Sequence, residues 1–373
     1  INRSNLLKNM KKSTFLIAGK HAVTEALKNP NRNVLKIFLT EDSKKALNKD
    51  NQNLNLLKDI KLFYKTKREL DRLCSKEQIS HQSLIAEIEH LENISFDVIH
   101  GFSASPLLAT RTIISKPFKK IKRVQTLKSK TRYKPTYLAA PLLNLVSTVT
   151  LGSRSIEDII TKYGTFKSKI KYINSHINTK KFKAKSKKQL KSKYNMRNKK
   201  IVLFYGPLAN RKGFKYLVNI IPKFKDNTFF IFLCKRTSLH KVHTKLINKQ
   251  LTNQKNYKII LDEKNLIEYL SMADITVFPY PNLDATESNP LSVIESMAMG
   301  IPTLTSKLPE TQELFKNRKE ILLSKPKNTS DLYKKVSELL NDKELQRTLS
   351  KNGKIRAKDF DVKLITNKYL EIY

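Results

Sequence analysis

Between Lys200 and Ser324, short apolar runs alternate with helical stretches, and this alternation constrains the fold more than any other feature of the chain. Lys200-Ile-Val-Leu-Phe-Tyr205, the runs Thr228 to Cys234 and Tyr257 to Leu261, Asp274-Ile-Thr-Val-Phe-Pro-Tyr280, Ile301 to Thr305 and Ile321 to Ser324 read as buried strands. Strands alternating with helices require a parallel sheet covered on both faces, with ligands beyond the carboxyl ends of the strands. Two loops follow strands and so fall on that rim. One is Gly206-Pro-Leu-Ala-Asn-Arg-Lys-Gly213, feeding a helix from Phe214; the other lies around Glu287.

The second loop opens the motif Glu287-Ser-Asn-Pro-Leu-Ser-Val-Ile-Glu295-Ser-Met-Ala-Met-Gly300-Ile-Pro302. Ser288 and Asn289 are good N-cap types, and Pro290 suits the first helical position, where no amide hydrogen is needed. Leu291, Ile294 and Ala298 follow helical spacing, and Gly300 is placed to end the helix. Unpaired amides around Leu291 to Val293 would form an anion site suited to a diphosphate. Glu295 is placed to accept a ribose diol, and Glu287 to accept sugar hydroxyls. Spacing alone fits equally well a capped surface helix with two solvated glutamates.

With its surroundings, the motif becomes specific. Residues 200–373 resemble the donor-binding domain of a retaining GT-B glycosyltransferase, in the large family four of nucleotide-sugar enzymes. The resemblance rests on the two spaced glutamates, Met-Ala-Met-Gly-Ile-Pro302, the loop ending Arg211-Lys212-Gly213, and Leu270-Ser-Met-Ala-Asp274. It implies that Glu287 contacts the donor sugar, Glu295 the ribose and Lys212 the diphosphate. Gly213 belongs to the same loop, and Ser288 and the amides from Asn289 through Pro290 to Leu291 would line the donor site. Where the family usually has Gly-Arg, this chain has Gly206-Pro207, so Arg211 is the candidate replacement cation. The stretch Phe360 to Tyr373 resembles the helix that crosses back to the acceptor domain.

Phe96-Asp-Val-Ile-His-Gly-Phe-Ser103, Lys122-Arg-Val-Gln-Thr126, Thr148-Val-Thr-Leu-Gly-Ser153 and Lys169-Ile-Lys-Tyr-Ile-Asn174 resemble the later strands of that acceptor domain. His100 matches the first of two family histidines and is a weak catalytic candidate; Phe102 takes the place of the second. A core histidine at a strand end is the plainer reading. The front strands of a GT-B acceptor domain are missing. Residues 14–91 instead resemble the substrate-binding domain of SpoU-type RNA 2′-O-ribose methyltransferases. The residues that carry this are Ile17-Ala-Gly-Lys-His-Ala-Val-Thr-Glu-Ala-Leu27, Asn29-Pro-Asn-Arg32, the strand Val34 to Leu39, Leu73-Cys74 and His81-Gln-Ser-Leu-Ile-Ala-Glu-Ile88. Ser83 stands where that family usually has glycine. No methyltransferase catalytic domain follows, so no methyl transfer is expected.

The expected class is thus α/β: a Rossmann-like GT-B donor domain with an incomplete acceptor domain, plus a small N-terminal α/β domain. The boundaries are a basic tail 1–13, the RNA-methyltransferase-like domain 14–95, a partial acceptor domain 96–185, a basic linker 186–199 and the donor domain 200–373. The chain reads as the front of one protein joined near Ser95-Phe96 to the back of another; a natural fusion, a misassembled reading frame and a fragment all fit.

A net charge of +41 over 373 residues admits two kinds of partner besides a nucleotide-sugar: an anionic membrane surface, or RNA through residues 14–91. Abundant lysine in solvated faces accounts for it equally well. Leu138 to Leu151 is too short and too interrupted to span a bilayer. Cys74 and Cys234 are isolated, and the histidines do not cluster, so the expectation is a reducing cytoplasm, no metal and no cofactor. The functional expectation is a glycosyltransferase working with retention, on a lipid-linked or cell-envelope acceptor. The rival is an RNA-binding protein carrying an inactive glycosyltransferase remnant.

Overall fold

The structure is a computed structural model that describes residues 14–29, 32–43, 60–74, 83–89, 97–103, 105–109, 121–131, 134–225, 227–236, 240–284 and 286–373. The tail 1–13, His81-Gln82 and the seam Ser95-Phe96 lie outside the described residues. The chain divides into two compact units, Ile1–Ser95 and Phe96–Tyr373.

The first unit holds β1 (Thr14–Ala18), α1 (Lys20–Lys28), β2 (Val34–Leu39), β3 (Lys61–Tyr64), α2 (Lys67–Cys74) and β4 (Leu84–Glu89). Its sheet runs β1-β4-β2-β3, with β4 antiparallel to both neighbours and β2 parallel to β3. Val23 and Ala26 of α1 pack on Ile37, Leu39, Ala86 and Ile88. Ser83 has φ 62°, a left-handed conformation that costs an L-residue about 1–2 kcal/mol. Glycine would adopt it freely, which is the physical reason glycine suits this position.

The second unit begins with a four-stranded parallel sheet: β5 (Val98–Ser103), β6 (Lys122–Leu127), β7 (Thr148–Leu151) and β8 (Ile170–Tyr172), in that order. A 3₁₀ helix, Lys134–Leu145, joins β6 to β7, and α3 (Arg154–Lys162) follows β7. Next comes α4 (Lys187–Lys193), inside the stretch expected as a linker. This stretch is docked: Leu190 is buried, and Asp274 accepts from Lys187, Lys191 and the Ile201 amide.

The rest is β9 (Lys200–Tyr205), α5 (Phe214–Val218), β10 (Thr228–Cys234), α6 (His240–Gln250), β11 (Tyr257–Leu261), α7 (Leu266–Met272), β12 (Ile275–Phe278), α8 (Leu291–Ala298), β13 (Thr303–Ser306), α9 (Pro309–Leu314), β14 (Leu322–Ser324), α10 (Thr329–Asn341), α11 (Lys343–Ala357) and α12 (Val362–Leu370). The six strands are parallel in the order β11-β10-β9-β12-β13-β14. β9 is buried from Ile201 to Tyr205 and β12 throughout, as expected of strands with helices on both faces. The strand order reverses between β9 and β12, and the loops after these two strands flank the crevice where such folds bind ligands.

Burial pushes the Asp274 carboxyl up, but Lys187, Lys191 and the Ile201 amide outweigh it and hold the pKa below the ordinary range. This stabilisation is complete above the unfolded value of 3.8 and is lost as the pH falls below it. Asp274→Ala strands two lysines and an amide, and should lower unfolding stability by about 2–3 kcal/mol in urea denaturation at pH 7. A loss within about 0.5 kcal/mol would mean that α4 is held by Leu190 and by the Glu268 contacts with Lys193 and Tyr194.

Candidate functional site

The crevice at the β9–β12 switch holds a cavity of about 530 Å³ lined by Arg211, Lys212, Lys235, Glu287, Leu291 and Glu295, among others. Gly206 and Pro207 form its wall after β9. Both glutamates and both loop cations expected from the sequence therefore meet in one place. Lys235 joins them, and sequence reasoning missed it. It directly follows β10, on the same rim, but one more lysine in a chain with 73 lysines and arginines carries no contrast.

Each side chain is fixed locally. Gly213 has φ 74°, and a Cβ there would lie 1.7 Å from the Pro279 carbonyl oxygen. Its contribution is this close approach, which seats the Arg211-Lys212 turn against the end of β12. It does not line the cavity, contrary to the expectation that it belongs among the donor contacts. The Lys212 ammonium lies 5.2 Å from the Tyr280 ring centroid. Burial lowers its pKa, Arg211 adds to this, and Glu287 opposes it. An anion entering the cavity would raise it again.

Glu295 accepts from the Tyr205 hydroxyl at 3.0 Å, and that hydroxyl also donates to the Ser292 carbonyl at 2.6 Å. Burial raises the Glu295 pKa, while Tyr205 and Lys235 pull it back. Burial and the Glu295 charge together raise the Tyr205 phenol well above its ordinary value, so it stays a donor. Only Oε2 of Glu295 is engaged among the described residues, which leaves Oε1 for a ligand hydroxyl.

Ser288 and Asn289 do not cap α8. The N-cap is Pro290, and the helix starts at Leu291. The Val293 amide donates to the Pro290 carbonyl at 3.0 Å, so one of the three amides expected to bind an anion is already spent within the helix. The Ser288 amide and hydroxyl donate to the Lys128 carbonyl at 3.1 and 3.0 Å. Asn289 donates to the Gly152 carbonyl at 2.9 Å and accepts from the Ser175 amide at 2.6 Å. The two side chains expected at the donor thus clasp the carboxyl ends of the other sheet, and they leave Glu287 projecting between the lobes. Glu310, buried on α9, adds to the clasp by accepting from Lys130 at 2.6 Å and Ser155 at 2.7 Å.

Across this clasp lies a second cavity of about 200 Å³, lined by Phe102, Lys128, Gly152, His176 and Tyr369, and again by Glu287 and Leu291. His100 is not in either lining. Its ring sits inside the sheet's second layer, with Nδ1 on the Tyr373 hydroxyl and Nε2 on the Thr126 hydroxyl. Burial, helped by Lys128, lowers its pKa to about 4. The ring packs against Tyr369 and Tyr373. Among the described residues, no group of three or more His, Cys, Asp or Glu could hold a metal ion, and no helix is long and apolar enough to cross a membrane.

Comparison with known proteins fits this geometry. Residues 186–356 match the family model described as glycosyl transferases group 1, and residues 16–94 match that of RNA 2′-O ribose methyltransferase substrate binding. Two parts of the chain thus each match a different family model. Among curated proteins it is similar to N,N′-diacetylbacillosaminyl-diphospho-undecaprenol alpha-1,3-N-acetylgalactosaminyltransferase of Campylobacter jejuni, 27% identical over 227 residues, covering 59% of this chain and 58% of that protein. It is also similar to an uncharacterized glycosyltransferase of Methanocaldococcus jannaschii, 29% identical over 168 residues, covering 45% and 46%. The chain therefore spans less than two thirds of the length of these relatives. Anabaena HepE, solved with UDP and glucose, superposes with a TM-score of 0.66 at 17% identity, covering 86% of this chain and 88% of HepE. Sucrose-phosphate synthase of Thermosynechococcus elongatus superposes with a TM-score of 0.65 at 19% identity, covering 74% and 73%. The fold is α/β with GT-B glycosyltransferase neighbours, as the sequence implied.

His100 gives a test of its structural role. Its pKa is depressed, so the stability it contributes is complete above the unfolded value of 6.5 and is lost as the pH falls towards 4. Melting temperature should drop between pH 6.5 and 5, and His100→Gln should flatten that segment of the curve. An unchanged slope would show that the ring protonates freely in the folded chain.

Proposed function

We propose that the second unit transfers a sugar from a nucleoside diphosphate sugar to a lipid-linked acceptor with retention. One observation carries this reading: Glu287 and Leu291 line both cavities, so a donor sugar in the first would meet an acceptor hydroxyl from the second. The nucleoside part takes the end of the first cavity at Glu295, whose open Oε1 accepts the ribose hydroxyls. Lys212, Arg211 and Lys235 face the diphosphate, together with the first amides of α8. Arg211 takes the role left empty by Pro207.

In the reaction, the bond from the sugar's anomeric carbon to the diphosphate oxygen breaks and its electron pair leaves on that oxygen, while the acceptor hydroxyl oxygen bonds to the same face of the anomeric carbon and its proton passes to the departing diphosphate. Lys212 and the helix amides stabilise that charge in a site with little water, where a fixed donor is most effective. Glu287 holds sugar hydroxyls and thereby the attack geometry; no metal is called for in this arrangement. UDP is the favoured nucleotide because HepE binds it, and a diphosphate lipid is the favoured acceptor because the Campylobacter relative is named for one. Such an acceptor places the protein at the cytoplasmic face of a membrane, peripherally.

A second reading is favoured by the match at residues 16–94: residues 14–91 bind RNA, without methyl transfer, and the rest is inactive. Calorimetry against a panel of nucleoside diphosphate sugars separates the two. Wild type should bind one donor, Glu295→Ala should abolish that binding, and Lys212→Ala should weaken it about tenfold or more. Glu287→Gln should keep binding and lose turnover. Wild type that binds no donor, while residues 1–95 bind structured RNA at physiological salt, would establish the rival.

A further inference from the structure

The 3₁₀ helix Lys134–Leu145 is apolar on more than one side, and the fold uses one. At three residues per turn, Tyr137, Ala140 and Leu143 stack on one side, and with Val146 they are buried. They belong to the core formed with Leu127, Val149, Leu151, Ile156 and Ile160. The two remaining sides carry Leu138 on one and Leu142 and Leu145 on the other, and these are 71%, 41% and 65% exposed. A fourth large side chain is held beside them. Asn144 donates to the Gly164 carbonyl and accepts from the Phe166 amide, each at 2.8 Å, and Thr165 donates to the Ala140 carbonyl at 2.8 Å. These bonds pin the turn after α3 to the helix, and Phe166 is left 62% exposed.

A fixed ridge of three leucines and a phenylalanine in water is the mark of an interaction surface. Its charge selects the occupant. From residue 134 to 172 the sequence has six basic residues against two acids, Glu157 and Asp158, and Glu157 accepts from the Tyr172 hydroxyl. Lys162, Lys167 and Lys171 are exposed around the turn that carries Phe166. A second copy is a poor occupant, because two chains of +41 repel each other. Nucleic acid would satisfy the lysines and offer little to the leucines. A bilayer of anionic phospholipid satisfies both: acyl chains for the ridge, phosphates for the rim.

We infer that Leu138, Leu142, Leu145 and Phe166, with Lys162 and Lys167, form a membrane-docking ridge for an anionic leaflet. The helix follows the carboxyl end of β6, where the Thr131 amide donates to the Tyr137 hydroxyl. This deepens the lipid-linked acceptor reading by giving it a surface, but the test needs neither donor nor turnover.

The chain contains no tryptophan, so one introduced indole reports alone. Phe166→Trp should show blue-shifted emission, quenched by brominated acyl chains, when the full chain meets vesicles of phosphatidylcholine and phosphatidylglycerol. Leu246→Trp, on the exposed side of α6, should not shift. Leu138→Ser with Leu145→Ser should cut vesicle affinity about tenfold or more at unchanged charge, with the melting curve as the folding control. An unshifted indole at position 166, or wild-type affinity in the double variant, would show attraction by charge alone and overturn the ridge. A lipid-free shift that grows with protein concentration would assign the ridge to a second copy and overturn it as well. Donor calorimetry is read on separate samples, so failure of the ridge and failure of the transferase reading are distinguishable.

Discussion

The second unit depends on two consecutive side chains, Ser288 and Asn289, that reach out of one sheet's loop to the strand ends of the other. Asn289 is buried, and its amide group is satisfied in both directions by backbone of the other lobe, at Gly152 and Ser175. A buried amide that loses its partners costs about 1–3 kcal/mol, so the loop is held in one register. Gly152 makes the approach feasible, because a Cβ there would lie 2.9 Å from Asn289 Oδ1. Glu287 precedes this clasp directly and inherits its position. The carboxylate between the two cavities is therefore placed by backbone contacts of both lobes, without depending on its own hydrogen bonds.

The charge balance of the first cavity follows from the same geometry. Arg211, Lys212 and Lys235 stand with Glu287 and Glu295 around one cavity. Burial works against the charged form of Lys212 and of Glu295 alike. A ligand with an anionic centre and neutral hydroxyls answers both: the anion favours the charged lysine, and the hydroxyls donate to the carboxylate. Tyr205 prepares one half of this by holding Oε2 of Glu295 from beneath, while Gly213 prepares the other by seating the cation loop on Pro279.

Most of the donor lobe was legible because strands covered on both faces read as unbroken apolar runs, as Lys200 to Tyr205 and Thr228 to Cys234 do. The glutamate spacing was legible because α8 starts where proline and the following apolar positions place it. What failed to show were roles set by distant partners. Ser288 and Asn289 have the composition of a cap, but their acceptors and donors lie more than 100 residues away. Gly213 resembles a ligand-loop glycine, and only the Pro279 carbonyl reveals its packing duty. Residues 186–199 are poor in apolar side chains, yet one buried leucine, Tyr194 and two acids, Asp274 and Glu268, dock α4.

The short acceptor sheet raises a different question: how four parallel strands keep both faces dry. Side chains alternate along each strand, and the two faces find separate covers. Leu127, Val149 and Leu151 turn towards the 3₁₀ helix and α3, whereas Val124 meets Ile365 and Ile372 of the chain's final segment. Thr126, Thr150 and His100 lie on this second side, under Tyr369 and Tyr373. Residues that follow the donor lobe therefore supply half of the acceptor lobe's core. Asp361 ties the crossing point by accepting from Thr179, and Ile177 bonds backbone on both sides of it. Separating the lobes would expose that core, so the crevice between them is held shut by the hydrophobic effect as much as by the polar clasp at Asn289.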